Sequence, residues 1–209
     1  MSSYLEKIGR VRAHLALEGA AGAVLSTPDN VFYATGFSSV MDGWHLVEPI
    51  AAVFVPTDAA SPVILILPEA SVISPIVSER GGHPVYFDRL ATFDMLNFCE
   101  TARAEDAHLA LPDDLLAELG DVMEQVEGQC EPDIIQTIAA SLSRHVAKGE
   151  RVLFDDLRVA ARVEALIGQA SGDALDVMFA ARAVKTADEL DTLRESGQIA
   201  DAIMAYTIS

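Results

Sequence analysis

The chain has 209 residues, is 51% apolar with a mean hydropathy of +0.28, and sets 32 acidic against 14 basic side chains for a net charge of −18. That length suits one large domain, or one domain and part of another. The charge has the wrong sign for nucleic acid, whose phosphates are neutralised by Lys and Arg, and for an anionic membrane surface. No apolar run reaches the roughly 18 residues of a membrane span, because residues 50–67 are broken by Pro56, Asp58 and Pro62. With no basic-then-apolar leader at the N-terminus, a cytoplasmic location is expected.

Residues 3–18 place Tyr4, Ile8, Val11 and Leu15 on one face at helical spacing, with Gly19 and Gly22 bracketing the end. Residues 22–25 are a short apolar run of the kind found in buried strands. Thr27-Pro28-Asp29-Asn30 supplies turn chemistry and N-cap candidates, Val31, Phe32 and Tyr33 fill one short helix, and Gly36 is placed to end it in a left-handed cap. A loop over 38–49 carries Asp42, Gly43, Trp44, His45 and Glu48. Residues 51–55 and 63–67 read as two buried strands. Their short polar link predicts an antiparallel hairpin and hence a mixed sheet.

Residues 69–79 are expected to be helical, kinked or shortened by Pro75 and ended by Gly81-Gly82. A short strand is expected over 84–87, and one or two helices over 89–130. Asp133 with Gln136 three residues on marks a helix start; Ile134, Ile138, Leu142 and Val146 line its apolar face, and Gly149 stops it. Residues 152–154 read as a strand, Asp155 or Asp156 as the cap of a helix bearing Val159, Val163, Leu166 and Ile167, and 175–179 as a final strand. Thr186 and Glu189 form a capping box for a terminal helix with Leu190, Leu193, Gly197, Ala200 and Met204 at helical spacing. Strands alternating with helices predict an α/β protein: a three-layer α/β/α sandwich on a mixed sheet.

No catalytic or metal-ligating set emerges. His14, His45, His83, His108 and His145 are isolated, without the spacing of a shared metal. Cys99 and Cys130 form no CxxC and are expected to be free thiols. Ser26, Ser38 and Ser39 lie in no nucleophile elbow, and Gly81-Gly82 lacks the residues of a phosphate loop.

Two motifs carry a resemblance. The run Asn30-x-x-Tyr33-x-Thr35-Gly36-Phe37 resembles the start of the creatinase/prolidase N-terminal domain. The run Arg182-x-x-Lys185-Thr186-x-x-Glu189-Leu190-x-x-Leu193-Arg194 resembles the linker and first helix of the same family's pita-bread catalytic domain, with Gly197 where the family usually has alanine. The resemblance covers nearly the whole chain. It implies an N-terminal domain over 1–180 with a ribonuclease H-like motif, and over 181–209 the linker and first helix of a catalytic domain cut short.

In that family two divalent metals (manganese, cobalt or zinc) are held by two aspartates, a histidine and two glutamates of the catalytic domain, beyond its first helix. The resemblance therefore implies a fragment with no catalytic residues of its own. It would be the cap and homodimerisation domain of an Xaa-Pro dipeptidase or aminopeptidase P-like hydrolase acting on proline-containing peptides. The loop after Phe37 would reach a neighbouring subunit's active site, which makes Trp44, His45 and Glu48 the substrate-contact candidates; the plainer alternative is that Trp44 packs on the surface and His45 is merely exposed. A creatine amidinohydrolase, a lyase-type relative, or a non-catalytic binding member of the histone-chaperone kind would present the same domain. Residues 186–209 are expected to be loosely held.

Overall fold

A computed structural model of the chain describes residues 2–42, 48–95 and 112–208. The first half runs α1 (Ser2–Leu17), β1 (Gly22–Leu25), α2 (Pro28–Thr35), β2 (Ala52–Pro56), β3 (Ile64–Pro68), a 3-10 turn (Glu69–Ser71), α3 (Ser74–Arg80) and β4 (Arg89–Phe93). The second runs α4 (Asp113–Met123), α5 (Ile134–His145), β5 (Val152–Phe154), α6 (Leu157–Ile167), β6 (Ser171–Asp173), α7 (Leu175–Ala183) and α8 (Ala187–Ile208). The six strands form one mixed sheet in the order β4-β3-β2-β1-β5-β6. The β1–β2 and β2–β3 pairs are antiparallel and the rest parallel, so the expected hairpin and mixed sheet are both present.

The strands sort their side chains by the two-residue period of extended chain. Ala23, Leu25, Val53, Val55, Leu65 and Leu67 join α1, α2 and α7 in one core. Val24, Phe54, Ile64, Ile66 and Phe154 join α5 and α6 in the other. Both faces are covered, which is the α/β/α sandwich. Phe54 and Phe154 are fully buried, each contributing about 1.5–3 kcal/mol relative to exposure. On α1 the expected stripe is the buried one: Ile8, Val11 and Leu15 are enclosed.

Helix ends follow the side-chain chemistry. Asp133 accepts the Gln136 N–H at 2.8 Å, and the Gln136 amide closes on the same carboxylate at 3.0 Å. The helix it opens ends at His145, not near Gly149, because Val146 is already extended. Of the two aspartates after β5, Asp156 is the cap, accepting the Arg158 N–H at 2.8 Å. The Thr186–Glu189 capping box is formed in both directions, at 2.8 and 3.3 Å. Gly36 ends α2 with φ 77°, as its position predicts.

Four expectations need correction. Residues 69–79 divide into a 3-10 turn and a separate α3, with Pro75 in the first turn, where a missing N–H costs nothing. Residues 84–87 are not a strand. Pro84 has no N–H to give, Tyr86 donates to the Thr35 carbonyl at 2.7 Å, and pairing with β3 begins only where Asp88 and Arg89 donate to the Val63 carbonyl. The strand is therefore β4, inside the stretch expected to be helical; α4 supplies the helix there, and residues 96–111 lie outside the described ones. Finally, 175–179 is helix. Val177, Met178 and Ala181 are buried while Leu175 and Phe179 are exposed, a helical and not an alternating pattern, and the Asp173 carboxylate accepts the Leu175 N–H at 2.8 Å just before its start. The last strand is the short β6 just before it. Of the two cysteines, Cys130 is an exposed free thiol; Cys99 lies outside the described residues.

A Cβ at Gly36 would stand 2.5 Å from the Tyr4 hydroxyl and 2.7 Å from the Pro84 carbonyl oxygen, besides the positive φ. Gly36→Ala should cost about 2–4 kcal/mol, read from the urea midpoint. Burial pushes the Asp133 carboxyl up, but the hydrogen bonds from Gln136 carry it below its ordinary value. A lowered folded-state pKa means that this contribution is present above the unfolded carboxylate's pKa and lost as pH falls through the folded one. Asp133→Ala should cost about 1 kcal/mol at neutral pH. The gap to wild type should close as pH drops below about 4, seen in urea melts across that range.

Candidate functional site

β1 and β5 lie side by side and parallel, but their chains leave in opposite directions. β1 runs into α2 on one face of the sheet and β5 into α6 on the other. The gap outside their C-terminal ends is the crevice where open α/β sheets bind ligands. Here the protein fills its inner part with its own carboxylate. Asp155 Oδ1 accepts the Ser26 N–H at 2.8 Å and the Ser26 hydroxyl at 3.2 Å. Oδ2 accepts the Thr27 N–H at 3.1 Å, the Thr27 hydroxyl at 2.6 Å and the Asn30 amide at 2.9 Å. Asn30 in turn accepts Arg182 Nη1 at 3.0 Å, and the Tyr33 hydroxyl donates to the Ala181 carbonyl at 2.9 Å. The two stretches that carry the resemblance thus meet in space across this carboxylate.

Outside the clasp lies a pocket of about 190 Å³. Val31, Phe37, Met41 and Ile50 give it an apolar wall, and Asp42, Asp156 and Arg158 give it charge. Arg158 donates to both oxygens of Asp156, with Nη2–Oδ2 at 2.6 Å, and this bond holds the Asp156 carboxyl below its ordinary pKa. Asp42 closes its own turn by accepting the Ser39 N–H at 2.8 Å. No described histidine lines the pocket, and the Ser26 hydroxyl is committed to Asp155, so the pocket has no activated nucleophile among the described residues.

Of the residues singled out from sequence, Glu48 is exposed on the rim of this pocket and ion-paired with Arg162 of α6. Trp44 and His45 lie outside the described residues, between two positions, Asp42 and Glu48, that both line it. The Asp155 clasp and the Arg158 partner of Asp156 were not anticipated. Two hydroxyl residues ending one buried strand, and two aspartates ending another, were the available signal. Among the described residues no three His, Cys, Asp or Glu side chains converge to hold a metal ion. No described helix is long and apolar enough to cross a membrane.

Asp155→Asn keeps the shape of the side chain but turns one acceptor into a donor facing donors. It should cost about 2–3 kcal/mol by chemical denaturation, above an ordinary surface change, because hydrogen bonds to a charged group are lost.

No family model and no curated protein matches the sequence. Solved structures do. The chain superposes on a prolidase from Thermococcus sibiricus with a TM-score of 0.58 and 16% identity over 98% of its length and 44% of that chain. Dipeptidase PepE from Mycobacterium ulcerans gives 0.60 and 17% over 98% and 43%. An aminopeptidase P, an Xaa-Pro aminopeptidase, from Streptococcus thermophilus gives 0.50 and 10%, over 86% of this chain and 98% of that one. The chain therefore spans less than half of the prolidase and dipeptidase chains. Its fold is the one that its two motifs imply, that of the creatinase/prolidase N-terminal domain.

Proposed function

We propose that this chain is the N-terminal, non-catalytic domain of an Xaa-Pro dipeptidase or aminopeptidase-like hydrolase. The observation that carries the reading is the superposition of 98% of this chain on 44% of a prolidase; the two resemblance motifs, joined in space by the Arg182–Asn30 hydrogen bond, support it. The metal-dependent step belongs to the remaining part of such a protein, and no part of it is assigned to residues here. This domain's contribution is recognition. The loop between Asp42 and Glu48 brings Trp44 and His45 towards the substrate, most simply in a homodimer where one protomer's loop faces its partner's active site. The pocket beside β1 and β5 seats the base of that loop, and the Glu48–Arg162 ion pair fixes its far end.

The test uses the longer protein, purified with added manganese or cobalt and assayed on Xaa-Pro dipeptides. Hydrolysis is expected, and Trp44→Ala should raise KM about tenfold with little change in kcat. A protein that binds metal but cleaves no Xaa-Pro bond contradicts the peptidase reading. Hydrolysis untouched by Trp44→Ala contradicts the loop's role.

A further inference from the structure

Lys7 is the only charged side chain among the buried described residues, with 7% of the residue exposed. It sits one turn into α1, where i, i+3 spacing puts Tyr4 beside it. Its ammonium lies 4.8 Å from the centre of the Tyr4 ring and 5.3 Å from that of Tyr33. The nearest carboxylate oxygen, Glu189 Oε1, is at 3.8 Å, an ion pair beyond hydrogen-bond distance. Among the described residues nothing accepts a hydrogen bond from it, although an ammonium has three to give. Its open side is a cleft of about 650 Å³ between α1, α2, the turn at Gly82 and the start of α8.

Charge of both signs lines this cleft: three cations, and the carboxylates of Asp29, Asp188 and Glu189. Three of the fourteen basic side chains of a strongly acidic protein, Lys7, Arg182 and Lys185, line it. Arg182 is fixed by Asn30, and Lys185 by the Arg182 carbonyl, so both are held at the rim. Asp29 and Asp188, both exposed, line the same cleft. A multiply charged anion such as phosphate would be drawn by the cations and repelled by these carboxylates. A molecule with one carboxylate and one ammonium is favoured by both. Phe32 and Leu193, 50% and 56% exposed, add an apolar patch on the wall.

We propose that this cleft binds a small zwitterion, an α-amino acid with an apolar side chain, whose carboxylate takes the hydrogen bonds of Lys7. The rim aspartates receive the ammonium, and Phe32 with Leu193 receives the side chain. The volume lies in the ordinary range for a small-molecule site. The proposal stands on this chain alone and does not depend on the peptidase reading.

The test is a titration of the ¹⁵N-labelled 209-residue chain with L-leucine, followed by amide chemical shifts, with acetate and inorganic phosphate as comparison probes. Saturable shifts at Tyr4, Lys7, Tyr33 and Arg182 are expected, with acetate and phosphate binding more weakly. Lys7→Met, which keeps the packing on the two rings, should weaken L-leucine by about tenfold or more, the loss of one charge-assisted hydrogen bond. Lys185→Gln, an exposed change that leaves the core untouched, should weaken it severalfold. Shifts that never saturate overturn the proposal, as does phosphate or acetate binding as tightly as L-leucine. Unchanged affinity in a folded Lys7→Met also overturns it, and if that variant does not fold, unchanged affinity in Lys185→Gln does.

Discussion

One carboxylate organises the molecule. Asp155 stands at the end of β5, the strand that joins the N-terminal hairpin half of the sheet to its C-terminal edge, and it accepts five hydrogen bonds from three residues of the β1–α2 turn. The turn's backbone amides at Ser26 and Thr27 have left the sheet ladder, and a buried amide without an acceptor would cost more than the net worth of the bond it lacks. Asp155 supplies both acceptors at once. It thereby fixes where α2 starts, and α2 sets the left-handed end at Gly36 and the departure of the loop that carries Trp44, His45 and Glu48.

The same clasp reaches the far end of the chain. Asn30, held by Asp155, orients Arg182, and Tyr33 one turn later holds the Ala181 carbonyl. α7 is pinned against α1 and α2 by these bonds and by Val177, Met178 and Ala181 in the core. Beyond it the hold is polar and brief: the capping box at Thr186, itself buried, and the Lys7–Glu189 ion pair. From Leu193 onward α8 leaves most of its apolar side chains, Ile199, Ile203 and Met204 among them, more than half exposed. Such a helix takes its stability from its own backbone ladder and its cap, and much less from packing.

Much of this was legible in the residues. Strict periods declared the buried stripe of α1 and the apolar face of α5, and capping chemistry declared the starts at Asp133 and Thr186. The hairpin followed from two apolar runs and a polar link. What failed were short segments whose period cannot be told from five residues. Arg89-Leu90-Ala91-Thr92-Phe93 holds good helix formers yet is a parallel strand, because β3 offers an edge that only tertiary structure reveals. Leu175 to Phe179 looked like a strand because this short run holds only two of the helix's buried positions, Val177 and Met178, without the third, Ala181. The site was harder still. Trp44, His45 and Glu48 came from resemblance, whereas the Asp155 clasp depends on contacts between residues more than a hundred positions apart and the standing of Lys7 on burial, neither of which a linear pattern encodes.

The central claim is that Asp155 holds the β1–α2 turn as firmly as the sheet holds β1. Native-state hydrogen exchange at the Ser26 and Thr27 amides tests it directly, with the Val24 amide inside β1 as the reference. The account predicts that both amides exchange as slowly as Val24, opening only when the sheet opens. Exchange at the rate of a solvated turn, with Val24 still protected, would show that the turn opens without the sheet and that the carboxylate does not organise it.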